Sequence, residues 1–313
     1  MKGLMEKTSL LLFLFGASCA QGHFQESYTT ENIIIIVTDG PRYSETWGNS
    51  DFSYIPFQAS MRSEGVLFTK FYNQGTTTTL PGHTAITTGN YEQINNAGLE
   101  LPQNPSIFQY WRKKYAKKQK RCWIIASKDK LDVLSNCATT EWKDKYTPSS
   151  NCGVDGLGGG SGYREDSATF AKSIEILELH QPNLVLINFR DPDLSAHQGT
   201  WDGYLNGIVA TDKLVHKMWQ FVQNNPHYKD KTALFITNDH GRHLDNVQDG
   251  FISHGDDCLG CRKISLLAIG PDFKKGKVVS AIHSQIDIPV TIAEIMGFSI
   301  PNEKGEILNG LFK

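Results

Sequence analysis

The run Asn32–Thr38 near the amino end, NIIIIVT, constrains the fold most strongly. An unbroken β-branched run is typical of a strand buried on both faces of a parallel sheet. It leads directly into Asp39 and Gly40, so the strand has a carboxylate at its carboxyl end, where α/β sheets collect ligands, and a glycine that permits a sharp turn. An aspartate here is more typical of a turn cap when nothing accompanies it, so its role depends on the other strands.

Further apolar runs alternate with helical patterns along the chain. Strands are predicted at 66–72, 123–127, 184–189, 232–237 and 264–269, and helices at 54–64, 106–118, 164–180 and 203–224. This alternation predicts an α/β fold, a three-layer α/β/α sandwich with a largely parallel central sheet. With 313 residues and 39% hydrophobic content, residues 21–313 suit one large catalytic domain.

The stretch 90–162 is poorly patterned and is predicted to be a small inserted cap. Its glycine cluster at 153–162 lacks the Lys-Ser/Thr ending of a phosphate-binding P-loop, so it is interpreted as a mobile loop. The formal net charge of the chain is -2, which provides no basic field for nucleic-acid binding.

Acidic and histidine side chains follow the later predicted strands. Two strands lead into Asp/His pairs, Asp193 with His197 and Asp239 with His240, and His254 precedes the last strand. The spacing of four in the first pair places both side chains on one face of a helical turn, a good platform for a metal ion. A single histidine is more often structural, but these groups together predict a metal centre at the carboxyl edge of the sheet.

A threonine run, Thr76–Thr79, precedes Leu80-Pro81-Gly82-His83. Because proline favours the first turn of a helix, the Thr79 hydroxyl is expected beside free backbone N–H groups that can hold an oxyanion. Threonine is a poor nucleophile unless a base or a metal lowers its pKa, so this function requires the ligand clusters. In isolation the run is more typical of a helix N-cap.

In order, the motifs VTDG, TLPGH, PDxxxH, DHG, HGxD and the tail QIDIPVTIAEIMG resemble the alkaline phosphatase superfamily, and within it the type I phosphodiesterase/nucleotide pyrophosphatase branch. The resemblance implies that Thr79 is the catalytic nucleophile beside two divalent metal ions, zinc by family precedent, with manganese also compatible. One ion would be bound by Asp193, His197 and His254, and the other by Asp39, Asp239, His240 and the Thr79 hydroxyl.

The resemblance further implies hydrolysis of a small-molecule phosphoric ester by in-line displacement at phosphorus. The substrate could be a phosphodiester, a pyrophosphate or a monoester, including a nucleotide, and the leaving group stays open. Two departures concern substrate binding. The diesterase branch often has TFPNH where this chain has TLPGH, and the asparagine that contacts the phosphoryl group falls in a shortened segment, where Asn95 or Asn96 is the candidate replacement.

Other functions remain as alternatives. A sulfatase or phosphonate hydrolase of the same superfamily shares the fold, although TLPGH does not match the C/S-x-P-x-R pattern expected of a sulfatase. A phosphoglycerate mutase of this superfamily resembles a serine enzyme with a large inserted domain that is not evident here. A non-catalytic surface-binding protein is expected to lose ligands, whereas all seven ligand positions are filled.

The amino end has the order of a secretory signal. Lys2 and Lys7 are followed by an apolar run, Leu10–Phe15, and then by small residues up to Ala20, which predicts a signal peptide over 1–20 and export to the periplasm or outside the cell. Two outcomes stay open: cleavage after Ala20, or lipidation at Cys19, which would attach the protein to a membrane.

Five cysteines follow Cys19. In an oxidising compartment this number suggests two disulfides and one free thiol. Cys122 lies in a predicted strand and is the expected buried thiol, which leaves Cys137 with Cys152 and Cys258 with Cys261. The second pair has the spacing of half a zinc ribbon, and since no second CxxC exists in the chain, no structural zinc is expected there.

Overall fold

The computed structural model describes residues 28–313. The predicted signal peptide, including Cys19, lies outside the described residues. Over 28–313, every helix is too short or too polar to cross a lipid bilayer.

The described residues form a nine-stranded, mostly parallel sheet. Its strands are β1 (Asn32–Asp39), β2 (Val66–Tyr72), β3 (Cys122–Ala126), β4 (Ser149–Cys152), β5 (Leu184–Pro192), β6 (Thr232–Asn238), β7 (Lys263–Ile269), β8 (Lys277–Val279) and β9 (His283–Ser284). The spatial order is β4-β3-β5-β1-β6-β7-β2-β8, with β9 paired to β2. Strand β7 runs antiparallel to both of its neighbours, while the other pairings are parallel.

Helices cover both faces of this sheet. They are α1 (Pro56–Met61), α2 (Thr79–Thr88), α3 (Ile107–Tyr115), α4 (Asp166–His180), α5 (Asp193–His197), α6 (Trp201–Asn224), α7 (Leu259–Arg262) and α8 (Asp287–Ile295). Side chains of α2, α3 and α8 share one core with Ile33 and Ile35 of β1. Side chains of α1, α4, α5 and α6 share the other core with Ile34 and Ile36. Because successive strand residues face opposite sides, the isoleucine run fills both layers, and the predicted α/β/α sandwich is confirmed.

Residues 90–162, predicted as an inserted cap, contribute β3, β4 and α3 to the sandwich itself. Strand β4 reads SSNC, too polar and short to be recognised from its sequence, because it lies at the sheet edge beside β3. The glycine cluster, interpreted as a mobile loop, is anchored instead. The backbone N–H groups of Gly160 and Gly162 donate to Asp129 Oδ2 at 3.0 and 2.8 Å.

All five described cysteines are free thiols, so both predicted disulfides are wrong, whereas the buried free thiol at Cys122 is confirmed. Cys152 ends β4 and its thiol lies 3.8 Å from the Ile124 carbonyl oxygen, while Cys137 lies beside Gln109 of α3. The thiol of Cys258 is the N-cap of α7 and accepts the Cys261 N–H at 3.4 Å.

Candidate functional site

The adjacent strands β5, β1 and β6 bring their carboxyl ends together. Asp39 is the last residue of β1 and pairs in register with Pro192, the last residue of β5, so Asp39 lies next to Asp193. Asp239 follows β6 directly. Three carboxylates from three strands therefore meet at one edge of the sheet, as the sequence predicted.

Helix α2 approaches this edge because of Gly82. A Cβ at Gly82 would lie 2.5 Å from the Asp239 carbonyl oxygen, closer than side chains tolerate. Glycine at this position therefore permits the amino end of α2, which begins with Thr79, to pack directly against the end of β6. The close approach explains the glycine in the TLPGH motif.

The first cluster consists of Asp39, Asp239 and His240, with one ligand atom from each within 4.8 Å of the others. All three residues are fully buried. His240 Nδ1 lies 2.9 Å from the Gly241 carbonyl oxygen, which fixes the proton on Nδ1 and turns the Nε2 lone pair toward the two carboxylates, 3.5 Å away. Among residues 28–313, Asp239 Oδ2 and His240 Nε2 have no hydrogen-bond partner, whereas Asp39 Oδ1 is paired with the Lys128 ammonium at 2.9 Å. Buried acceptors that converge in this way need compensating positive charge, and a set of two carboxylates and an imidazole fits a divalent ion.

The second cluster consists of Asp193, His197 and His254. The two histidine Nε2 atoms lie 3.2 Å apart, and each is 3.2 Å from Asp193 Oδ1. His254 Nδ1 lies 2.8 Å from the Thr77 carbonyl oxygen, which leaves the Nε2 lone pair free to bind a metal. His197 is exposed, so the site opens to solvent on this side.

Other polar side chains hold the first cluster in place. Asn188 Nδ2 donates to Asp39 Oδ2 at 3.2 Å. The ring of His83 lies with Nδ1 2.8 Å from the Thr79 carbonyl oxygen and 3.4 Å from Asp239 Oδ2. The histidine of the TLPGH motif thus orients a ligand of the cluster from the first turn of α2.

Lys128 connects both clusters to Thr79, and sequence reasoning missed it. Its ammonium nitrogen lies 3.0 Å from Thr79 Oγ1, 2.9 Å from Asp39 Oδ1 and 2.6 Å from Asp193 Oδ2. Lys128 is 1% exposed and Thr79 is also 1% exposed, so these contacts are shielded from water. The available signal was its position two residues after β3, at the same edge of the sheet as the predicted ligands.

Arg242 is the second site residue that the sequence did not indicate. It is fully buried, donates to Asp193 Oδ1, and places Nη2 3.3 Å from His197 Nδ1. Its location directly after the DHG motif was the only signal. Since Asp193 contacts both Arg242 and Lys128, two protein cations already compensate this carboxylate.

The charges at the site shift the pKa values of its acid and lysine groups. Burial favours the neutral form of Asp193, but Lys128 and the hydrogen bonds from His197 and His254 outweigh burial and hold its pKa well below the usual range. Burial also opposes the charge on Lys128, but Asp193 and Asp39 raise its pKa. Lys128 is therefore a permanently charged ammonium at neutral pH.

The pKa values of His240 and His254 are shifted in opposite directions. Burial alone would lower the pKa of His240, but Asp239 and Asp39 raise it above its ordinary value. Burial, together with the neighbouring His240, lowers the pKa of His254 to about 4. A proton consequently competes with a metal at His240 but hardly at His254.

The two predicted substrate-binding residues lie in different places. Asn96 Oδ1 accepts the Leu80 N–H at 2.9 Å and contacts Lys130 Nζ at 3.1 Å, so the structure brings Asn96 to the first turn of α2. Asn95 is exposed and its Oδ1 accepts the Ala97 N–H at 2.7 Å. Only Asn96 therefore lies near Thr79.

Residues 33–249 match the family model described as type I phosphodiesterase / nucleotide pyrophosphatase. Among curated proteins, the chain is similar to the 2,3-bisphosphoglycerate-independent phosphoglycerate mutase of Gracilaria tenuistipitata var. liui. The two are 25% identical over 142 residues, which cover 44% of this chain and 25% of that enzyme. The chain thus spans about a quarter of the length of that curated relative.

Solved structures share the fold at low sequence identity. A phosphonate monoester hydrolase from Silicibacter pomeroyi matches with a TM-score of 0.61 and 16% identity, over 89% of this chain and 76% of that chain. A sulfatase from Pseudoalteromonas sp. matches with a TM-score of 0.63 and 13% identity, over 90% of this chain and 71% of that chain.

Proposed function

Because this chain belongs to the type I phosphodiesterase / nucleotide pyrophosphatase family of the alkaline phosphatase superfamily, we propose that it is an exported, metal-dependent hydrolase of small-molecule phosphoric esters with Thr79 as nucleophile. One observation carries the assignment of Thr79. Its hydroxyl lies at the start of α2, beside two groups of metal-type ligands, and contacts the Lys128 ammonium. The same ammonium contacts Asp39 of one group and Asp193 of the other.

Two divalent ions, zinc or manganese, fit the donor sets. Asp39, Asp239, His240 and the Thr79 hydroxyl would hold one ion, and Asp193, His197 and His254 would hold the other. When bound, such ions supply Lewis-acid chemistry that lowers the pKa of a hydroxyl and withdraws charge from phosphoryl oxygens.

Each protein group at the site has its own role in the proposed reaction. Thr79 Oγ1 forms a bond to phosphorus while the bond from phosphorus to the leaving oxygen breaks, and water later cleaves the phosphothreonine to restore the hydroxyl. The Lys128 ammonium stabilises negative charge on Thr79 Oγ1. In the first turn of α2 the Leu80 N–H donates to Asn96 Oδ1 and Pro81 has no N–H, so this hydrogen bond holds Asn96 beside Thr79, where its amide would face the developing charge on the phosphoryl oxygens. The exposed edge at His197 provides the route for substrate and water.

A phosphonate hydrolase or a sulfatase is the second candidate, favoured by the fold shared with enzymes of both kinds. The residue at the nucleophile position distinguishes the proposed threonine hydrolase from a sulfatase. A threonine in TLPGH provides an unmodified hydroxyl. A sulfatase of this superfamily is instead expected to need a Cys or Ser in a C/S-x-P-x-R motif, which is converted to formylglycine.

The deciding experiment compares turnover of nitrophenyl phosphate, a nitrophenyl phosphodiester, a nitrophenyl phosphonate monoester and nitrophenyl sulfate. Mature protein is assayed after chelation and again after addition of zinc or manganese. We expect metal-dependent turnover of at least one phosphate ester and little turnover of the sulfate. The proposal would be overturned if the sulfate were turned over faster than every phosphate ester, or if chelation did not reduce the turnover of the phosphate esters.

Export is tested separately by expressing the full chain and measuring the mass of the mature protein. Cleavage after Ala20 and a lipid-modified Cys19 give different masses and different partitioning into detergent. An uncleaved chain retained in the cytoplasm would contradict export.

A further inference from the structure

A third group of metal-type ligands lies outside the proposed catalytic centre. We propose that it binds one structural zinc ion through four side chains, namely His243, Asp256, Cys258 and Cys261. One ligand atom from each of the four lies within 4.8 Å of all the others. Two thiolates, an imidazole and a carboxylate form a closed set of four donors of the kind that tetrahedral zinc prefers.

The imidazole of His243 is oriented to bind a metal ion. The residue is 1% exposed, and its Nε2 has no hydrogen-bond partner among residues 28–313, although Asp256 Oδ1 lies 3.3 Å away. Its Nδ1 lies 3.4 Å from Asp249 Oδ1. A carboxylate at Nδ1 keeps the proton there and turns the Nε2 lone pair toward the cluster, the arrangement that orients zinc-bound histidines. An otherwise unsatisfied buried nitrogen thus points at two thiols and a carboxylate.

The CxxC segment places both sulfur atoms on the same side. Cys258 caps the short helix α7, and its Sγ accepts the Cys261 N–H at 3.4 Å. Zinc–ligand bonds of about 2.0–2.3 Å in a tetrahedron separate ligand atoms by roughly 3.3–3.8 Å. Since no pair of ligand atoms is more than 4.8 Å apart, the cluster needs to contract by at most about 1.0–1.5 Å to match a zinc ion.

The backbone holds this segment against the residues that follow β6. The Gly241 N–H donates to the Cys261 carbonyl oxygen at 2.7 Å. A Cβ at Gly241 would lie 2.0 Å from the Gly260 carbonyl oxygen, so glycine is required for this approach. These contacts bring the CxxC turn back against His243, which precedes it in the same loop region after β6. The missing half of the zinc site is therefore a histidine and an aspartate, which is why a search for a second CxxC does not find it.

The same loop is linked to the catalytic centre. The Asp256 carbonyl oxygen accepts the Thr77 hydroxyl at 2.8 Å, and His254 Nδ1 lies 2.8 Å from the Thr77 carbonyl oxygen. A zinc ion at Asp256 would thus fix the loop that carries His254 relative to the threonine run. The ion is structural, because four protein side chains fill its coordination and leave no position for substrate.

Cobalt substitution tests the proposal without an activity assay. Thiolate ligands give bound Co²⁺ a sulfur-to-metal charge-transfer absorption, and neither proposed catalytic ligand set contains a cysteine. Purified protein is stripped with a chelator under reducing conditions and titrated with Co²⁺ and then with Zn²⁺. We expect a charge-transfer band that zinc abolishes, and a loss of one metal equivalent per chain in the double variant Cys258→Ser/Cys261→Ser.

Matched variants complete the experiment. Cys122→Ala removes a buried thiol outside the cluster and should keep the band. Asp249→Asn, which changes only the group behind His243, should weaken zinc binding about 10- to 100-fold while the thiolate band persists at saturating Co²⁺. The proposal is overturned if wild type gives no thiolate band, if the band survives in the double variant, or if the native protein contains a Cys258–Cys261 disulfide. Catalytic metal content measured in the same double variant separates failure of this site from failure of the proposed function.

Discussion

The ammonium nitrogen of Lys128 lies 3.0 Å from the hydroxyl oxygen of Thr79. Since Asp193 and Asp39 raise the pKa of Lys128 despite its burial, the lysine remains charged and can only donate to this oxygen. It cannot be the base that removes the hydroxyl proton at neutral pH. In the proposed reaction it would instead stabilise the negative oxygen and hold it between the two ligand clusters.

Replacing Lys128 by Met should therefore lower kcat while the protein still folds. Loss of one preorganised donor at a developing negative charge typically costs about 10²–10³ in kcat, or roughly 2.7–4 kcal/mol. Steady-state kinetics on the preferred phosphate ester measures the effect. Lys231→Met is the control, because that lysine makes an exposed ion pair with Glu31 far from the site. Activity of Lys128→Met within about threefold of wild type would contradict a role in stabilising the Thr79 oxygen.

Thr79→Ala should lower kcat by several orders of magnitude, because the covalent step loses its nucleophile, while both ions remain bound by six protein ligands. Thr79→Ser keeps a hydroxyl and should retain measurable turnover. Thr77 is a poor control, since its hydroxyl holds the Asp256 carbonyl oxygen. Thr76→Ala, in a half-buried residue of the same run, is the better one. If metal-loaded Thr79→Ala hydrolyses esters within about tenfold of wild type, a difference of only about 1.4 kcal/mol, another group is the nucleophile.

The sequence predicted the strand ends well and the surroundings of the ligands poorly. Asp39, Asp193 and Asp239 could be placed together because each follows an apolar run, and strands of a parallel sheet end at one edge. Lys128 and Arg242 could not, because their role depends on a side chain reaching across the sheet edge to a carboxylate from another strand. A charged residue near a strand end is usually solvated, and no local pattern distinguishes the exceptions.

The cysteine pairing failed for a related reason. Parity and compartment suggest how many disulfides to expect, but they do not say which thiols lie close together. Cys137 packs beside α3 and Cys152 ends β4, whereas Cys258 and Cys261 have His243 as a neighbour, which no sequence motif links to them. Which of these side chains lie side by side becomes visible only once the chain is folded.

Arg242 predicts that the two catalytic ions bind with unequal affinity. Its guanidinium, like the Lys128 ammonium, contacts Asp193, whereas of these two cations Lys128 alone forms an ion pair with the Asp39/Asp239/His240 cluster. Additional positive charge disfavours a divalent ion, so the cluster at Asp39 should fill first. Stripped Cys258→Ser/Cys261→Ser protein lacks the thiolates of the third proposed site, so its calorimetric titration with Zn²⁺ should resolve a tight and a weaker catalytic site.

The matched change is Arg242→Met, which removes the charge and retains most of the apolar stem. It should tighten the weaker site toward the affinity of the tighter one. The change also leaves the Phe251 and Ile252 carbonyl oxygens without their donor, so a loss of about 1–3 kcal/mol in unfolding free energy is expected alongside. Unchanged or weaker zinc binding at this site would show that Arg242 supports the ligands rather than competing with the ion.

Metal binding at the two clusters should also depend differently on pH. Carboxylates raise the pKa of His240 above its ordinary value of 6.5, so in metal-free protein the protonated form of His240 stabilises the fold at low pH. That contribution is complete below pH 6.5 and is lost as pH rises through the raised folded-state pKa. A metal ion must displace this proton. Affinity at the Asp39/Asp239/His240 cluster should therefore fall as pH drops below the pKa of His240, by up to about tenfold per pH unit.

His254 behaves in the opposite way, because its pKa of about 4 keeps the ring neutral at pH 5.5. Zinc titrations of the Cys258→Ser/Cys261→Ser protein at pH 5.5 and pH 8 should show a large loss of affinity for the cluster at Asp39 and a smaller loss from His254 at the other cluster. His240→Gln identifies which site has changed, since it should remove the steep pH dependence together with most of the affinity of the first cluster. Equal pH dependence at both clusters in wild type, or an unaltered steep dependence in His240→Gln, would show that His240 is not the group that competes with the metal.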